Sequence, residues 1–188
     1  MSQSNLVLAI ILACVSAVVI SQVVVPGPCP DLTVQQNFDI DSYLGKWYQQ
    51  KVYNVSFEQG RCDFGEYLDN FNGTYTFIEN AIRVSNGEFL QDYALAEIVG
   101  ENGEAKLTIT HYAETGIPAD YWVLGTDYVN FAVVWSCRVE GTDSLRLSWI
   151  LSRERQASNE TLQLAYEVVR ANNLTEVYKT TDQENCNN

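Results

Sequence analysis

The sequence predicts an all-β fold: an eight-stranded antiparallel up-and-down barrel with one C-terminal α-helix packed on its wall. Three observations carry this. From Leu44 to Arg153, runs rich in β-branched and aromatic residues are separated by turn signals, which places strands near 45–53, 62–69, 74–84, 88–99, 105–112, 120–126, 130–138 and 145–153. Three connections carry Asn-Gly pairs, Asn72-Gly73, Asn86-Gly87 and Asn102-Gly103, residue types that tolerate the positive φ of tight hairpin turns. Short links throughout make each strand pair with the next. Eight such strands close into a barrel that removes exposed edges and leaves room for one small ligand.

The first 21 residues stand apart. They carry no charged side chain, and Leu6 to Ile20 is a run of fifteen residues apolar at every position but Ser16. Small residues at Val19 and Ser21 suit signal-peptidase cleavage, giving a mature start near Gln22. Fifteen helical residues would rise about 22 Å, short of the ~30 Å bilayer core, so a cleaved signal peptide is expected over a retained anchor. One domain is then expected over 22–188, with the barrel at about 44–153. A helix follows at about 159–172. Ser158 can cap it, Glu160 suits its first turn, and Leu162, Ala165, Tyr166 and Val169 form one apolar stripe. The remaining tail runs to residue 188.

Composition narrows the function. The chain of 188 residues is 46% apolar and has a formal charge of −13, which opposes binding to nucleic acid or to an anionic membrane. No apolar segment near the C-terminus suggests a membrane anchor. Once Cys14 leaves with the signal, four cysteines remain: Cys29, Cys62, Cys137 and Cys186. In an exported chain they read as two disulfides, with three connectivities open. Acceptor sequons at Asn54, Asn72, Asn159 and Asn173 are candidates for glycosylation. No G-x-S-x-G or H-E-x-x-H motif is present, and a single histidine leaves hydrolytic and zinc chemistry without parts. Neither catalytic nor metal-ligating residues are assigned.

Three short motifs occupy one end of the predicted meander. Gly45-Lys46-Trp47 opens the first strand, Thr126-Asp127-Tyr128 lies between the sixth and seventh, and Arg153 ends the eighth. Alternating strand direction brings Trp47, Asp127 and Arg153 to the same end. This ordered set resembles the lipocalin family, in which the arginine packs across the tryptophan to close the barrel floor, a cation–π contact. Gly60-Arg61-Cys62, the run Tyr121 to Tyr128, Ser136-Cys137 and the run Thr181 to Cys186 resemble its apolipoprotein D-like and insect bilin-binding subgroup. That resemblance covers residues 29–186. It implies the disulfides Cys29–Cys137 and Cys62–Cys186, which would tether the leading segment and the tail to the barrel wall.

Strand periodicity maps a pocket. In the last strand Leu147, Trp149 and Leu151 share the more apolar face, which is expected to point inward. The resemblance places Trp149 and Tyr67 beside ligand. With Tyr67 inward, alternation turns Cys62 outward. Leu107, Ile109 and His111 share a face of the fifth strand, which sets His111 near the open mouth. A haem-ligating role for it is weighed against that of an ordinary rim residue, and the latter is preferred.

The expected function is that of a secreted carrier of a small hydrophobic ligand: a fatty acid, steroid, terpenoid or bilin. No cofactor is required, since a bilin or lipid would be cargo. A pigment-binding role and a surface-acting adhesion or signalling role through a cell-surface receptor are the alternatives. An isomerase using a free cavity thiol is disfavoured, because every mature cysteine is expected in a disulfide. Oligomeric state is not legible.

Overall fold

The computed structural model describes residues 23–53, 60–112 and 116–186; the predicted signal peptide and the Asn54 sequon lie outside them. The barrel strands are β2 (Gly45–Tyr53), β3 (Gly60–Asp69), β4 (Tyr75–Arg83), β5 (Phe89–Ile98), β6 (Lys106–His111), β7 (Ala119–Thr126), β8 (Phe131–Glu140) and β9 (Asp143–Ser152). Each pairs antiparallel with the next, and β9 returns to β2 through pairs such as Val52↔Trp149, closing the eight-stranded barrel. A left-handed glycine follows asparagine in all three predicted Asn-Gly turns, at Gly73, Gly87 and Gly103. Asn102 alone of the three asparagines shares that conformation.

Three short elements were not expected. Strand β1 (Val23–Pro26) adds to β9, and β10 (Tyr178–Thr180) adds to β2. A single-turn helix, α1 (Ile40–Tyr43), precedes β2, and the Asp39 side chain caps it by accepting from Ser42 N–H at 3.3 Å. Four residues or fewer carry too little periodicity to register as a pattern.

The long helix α2 (Asn159–Ala171) starts as expected, with Ser158 Oγ accepting from Thr161 N–H at 3.1 Å. Its buried Ala165 and Val169 join an outer core with Leu124, Val133, Trp135 and Ile150, and Leu162 and Tyr166 pack against it. A Cβ at Gly125 would stand 2.8 Å from a Val168 methyl, so the missing side chain lets helix and sheet approach. The second, inner core lies inside the barrel and includes Trp47, Tyr67, Leu107 and Val134. Apolar side chains on both sheet faces explain why β8 reads as a continuous apolar run instead of an alternating one.

Both chain ends are strapped to the wall. Cys29 is bonded to Cys137 and Cys62 to Cys186. Cys62 does not follow simple alternation. The ladder shifts between Arg61 and Phe64, Cys62 itself has φ of 60°, and its N–H donates to Asp182 O at 2.7 Å. The tail covers this bulge, and Gln183 Nε2 donates to Asp63 O at 2.7 Å and to Gln49 O at 2.9 Å.

Tail and bulge together have a cost at Asp63. Burial first, and then the nearby Glu79 charge, push its carboxyl up to about 7. A carboxyl raised in the folded state favours folding while protonated, and that advantage is lost as pH rises from about 4 through about 7. Asp63→Asn is therefore expected to gain roughly 2–4 kcal/mol on the wild type between pH 4 and pH 8. Urea unfolding at the two pH values checks this; parallel stability curves would refute it.

Candidate functional site: the barrel interior and its floor

Every side chain of the floor motif has a defined task. Gly45 adopts φ of 88°, a conformation that glycine enters without Cβ strain, and starts β2 immediately after α1. Trp47 is fully buried and donates from Nε1 to Tyr43 O at 2.8 Å. The Arg153 guanidinium lies 3.7 Å from the Trp47 ring centroid. It also donates to Lys46 O at 2.9 Å, Ser42 O at 2.8 Å and Tyr128 O at 3.0 Å. One planar cation thus ties α1, β2 and the β7–β8 turn together.

The turn is held from within. Thr126 Oγ1 donates to Phe131 O at 2.6 Å and accepts from Tyr128 N–H, whose φ is 64°. Asp127 accepts from the N–H groups of Val129, Asn130 and Phe131. Burial opposes its ionisation, but these bonds and that from the Asn130 side chain outweigh it and hold the carboxyl below its usual range. Tyr128 Oη accepts from Asp39 N–H at 3.1 Å, linking the turn to the α1 cap. These are structural roles.

Above the floor lies an aromatic cup. Tyr67 is 1% exposed and stacks on Phe77, its partner across β3 and β4, with centroids 4.7 Å apart. Gly65 makes that possible, since a Cβ there would sit 2.4 Å from the Phe77 ring. Tyr43 and Tyr121 complete the group, their hydroxyls 3.1 Å apart. Burial pushes all three tyrosine hydroxyls well above their usual range, so they remain neutral. Beside that pair, the Tyr67 hydroxyl makes no hydrogen bond of good geometry among the described residues.

The remaining pocket residues divide. Ile109 and Leu151 belong to the inner core, and Trp149 packs against it while half-buried. His111 ends β6 toward the mouth, its Nδ1 2.7 Å from Asp92 Oδ2. Leu147 departs from the expectation: although it shares alternation with Trp149 and Leu151, it packs against the outer core, as does Val23. It lies one pair from Val23↔Arg146, where β1 widens the sheet, so the added strand changes what surrounds it. Tyr43, Phe77 and Tyr121 were missed by sequence reasoning. Alternation from Tyr67 across the β3–β4 register points to Phe77, whereas Tyr43 sits in a helix too short to detect. The sequons at Asn72, Asn159 and Asn173 are exposed.

A closed barrel with a plugged floor and an aromatic interior is the architecture of a small-molecule-binding barrel. The Lipocalin / cytosolic fatty-acid binding protein family matches residues 44–185, and the chain belongs to it. It is 36% identical to apolipoprotein D of Oryctolagus cuniculus over 170 residues, covering 85% of each chain. It is 34% identical to the Lazarillo protein of Schistocerca americana over 140 residues, covering 72% of this chain and 64% of that one. Among solved structures, insecticyanin from Manduca sexta superposes with a TM-score of 0.76 at 22% identity, covering 86% of this chain and 89% of the other. Lobster apocrustacyanin A1 superposes with a TM-score of 0.70 at 24% identity, covering 85% and 91%. At these identities the two structures bear on the fold alone.

Proposed function

We propose that the protein is a secreted, non-enzymatic carrier that holds one small hydrophobic molecule in the barrel. The observation that carries this reading is the aromatic cup of Tyr43, Tyr67, Phe77 and Tyr121 standing on a sealed floor. Such a cup offers apolar contact together with neutral hydroxyls. It suits a fatty acid, steroid, terpenoid or bilin, with an oxygen of the cargo accepting from Tyr67. Burying ~300 Å² of apolar ligand surface contributes ~7.5 kcal/mol gross. Association costs reduce this to affinities on the order of micromolar to tens of nanomolar. Export is supported by the apolar leader and by the two disulfides. Both disulfides also consume the thiols that a cavity-thiol mechanism would use.

Trp149 provides the test. Titrating a fatty acid, a steroid and a bilin into purified protein should quench indole fluorescence, and Trp149→Phe should remove most of that signal. Trp149→Ala should weaken binding by about 1–3 kcal/mol, the scale of a lost aromatic contact. A folded variant that binds every ligand like the wild type would overturn the pocket assignment. Native mass spectrometry and an absorbance spectrum of protein from its source would then separate pigment from colourless lipid.

A further inference from the structure

Outside the barrel, a cleft of about 320 Å³ opens between the C-terminal end of α2, the leading segment near Leu32 and the wall of the barrel. Tyr53 and Trp135 line it, 0% and 1% exposed; the Trp135 indole N–H is buried without a hydrogen-bond partner among the described residues, whereas the Tyr53 hydroxyl has that of Tyr178 beside it. An indole N–H can only donate, so it calls for an acceptor, and leaving such a group unmet costs on the order of 1–3 kcal/mol. Arg146 adds further donors from the side. Its Nε is engaged by Ser144 Oγ at 2.9 Å and its Nη2 by Pro28 O at 3.1 Å, which hold the guanidinium in place. The rim bears the acceptors Asp31 and Glu176.

All three residues of the sequon Asn173-Leu174-Thr175 belong to the same lining. Asn173 is exposed and stands just past the helix cap with φ of 53°. Asn72, in the β3–β4 turn, and Asn159, in the first turn of α2, do not line this cleft. We infer that the cleft seats the first N-acetylglucosamine of an N-linked glycan on Asn173. The acetamido carbonyl supplies the acceptor that the Trp135 indole N–H lacks, and the sugar hydroxyls can donate to the rim carboxylates. A covalent tether on the rim gives the sugar an effective concentration on the order of millimolar, so a weak seat is filled. The inference rests on the export proposed above, because only an exported chain meets the glycosylation machinery.

The test uses full-length protein secreted from insect cells, with glycopeptide mass spectrometry at each sequon. Amidase release of the glycan, which leaves aspartate at position 173, is then compared with endoglycosidase trimming to a single sugar, and the neutral, unglycosylated Asn173→Gln separates loss of the sugar from the added charge. Seating predicts that trimming leaves the Trp135 indole resonance and the Tm in place, whereas full release shifts that resonance and lowers the Tm. Trp135→Phe assigns the resonance, Asn173→Gln should reproduce the release, and Asn72→Gln should not. A bare Asn173 beside a glycosylated Asn72 overturns the inference while leaving export intact. So does full release that leaves the Trp135 resonance unmoved. A chain retained in the cell with its leader attached fails the export reading itself.

Discussion

Replacing Cys62 and Cys186 together by alanine is expected to lower the unfolding free energy by about 4–5 kcal/mol, the chain-entropy value for a closed loop of this size. The two cysteines are separated by 124 residues, so the bond removes much freedom from the unfolded chain. Removal should also release the tail from the β3 bulge, where Cys62 N–H, Asp63 O and Gln49 O all bond to residues 182–183. Guanidinium unfolding measures the first effect, and hydrogen exchange at the backbone amides of position 62 and Thr181 measures the second. A double variant as stable as the wild type, with those amides still protected, would show that the tail holds itself.

Arg153→Ala comes next in size. The substitution removes a cation stacked on Trp47 and strips partners from the carbonyls of Ser42, Tyr43, Lys46 and Tyr128. A loss of roughly 2–4 kcal/mol is expected, as for a broken part-buried network. Arg153→Lys should recover only part of it, because one ammonium cannot reproduce a planar fork serving several carbonyls. Ligand affinity of the folded variant should hardly change, since the guanidinium lies beneath the cup. A stable variant that had lost binding would make Arg153 a site residue instead.

The barrel strands and α2 were legible for distinct physical reasons. Turn chemistry at the three Asn-Gly pairs punctuates the strands, and the Ser158 cap with its apolar stripe marks the helix. The floor was legible because strand direction brings Trp47, Asp127 and Arg153 to one end. Alternation served less well inside the barrel. It predicts the face a side chain leaves from, and so it placed Leu151 in the inner core and Trp149 against it. Which core a side chain joins depends on neighbours that local pattern cannot see. Leu147 is surrounded differently because β1, a strand of four residues with no pattern of its own, lies against β9. The bulge at Arg61/Phe64 breaks the count that turned Cys62 outward, yet Cys62 meets the tail as expected through its bond to Cys186. Tyr43 entered the cup from α1, which only the Asp39 cap could have announced.

The seam where β9 meets β2 joins the last barrel strand of the chain to the first, and β1 and β10 flank it on either side. Synthesis therefore exposes an open, curling sheet until nearly the whole polypeptide has emerged. The edge of β2 waits for β9, and neither terminal strand can dock before its partner strand exists. Such long-range pairing is slow and leaves unpaired edges exposed in the meantime. Between the making of the seam's first strand and its last, the edge of β2 that receives β9 therefore stands unpaired.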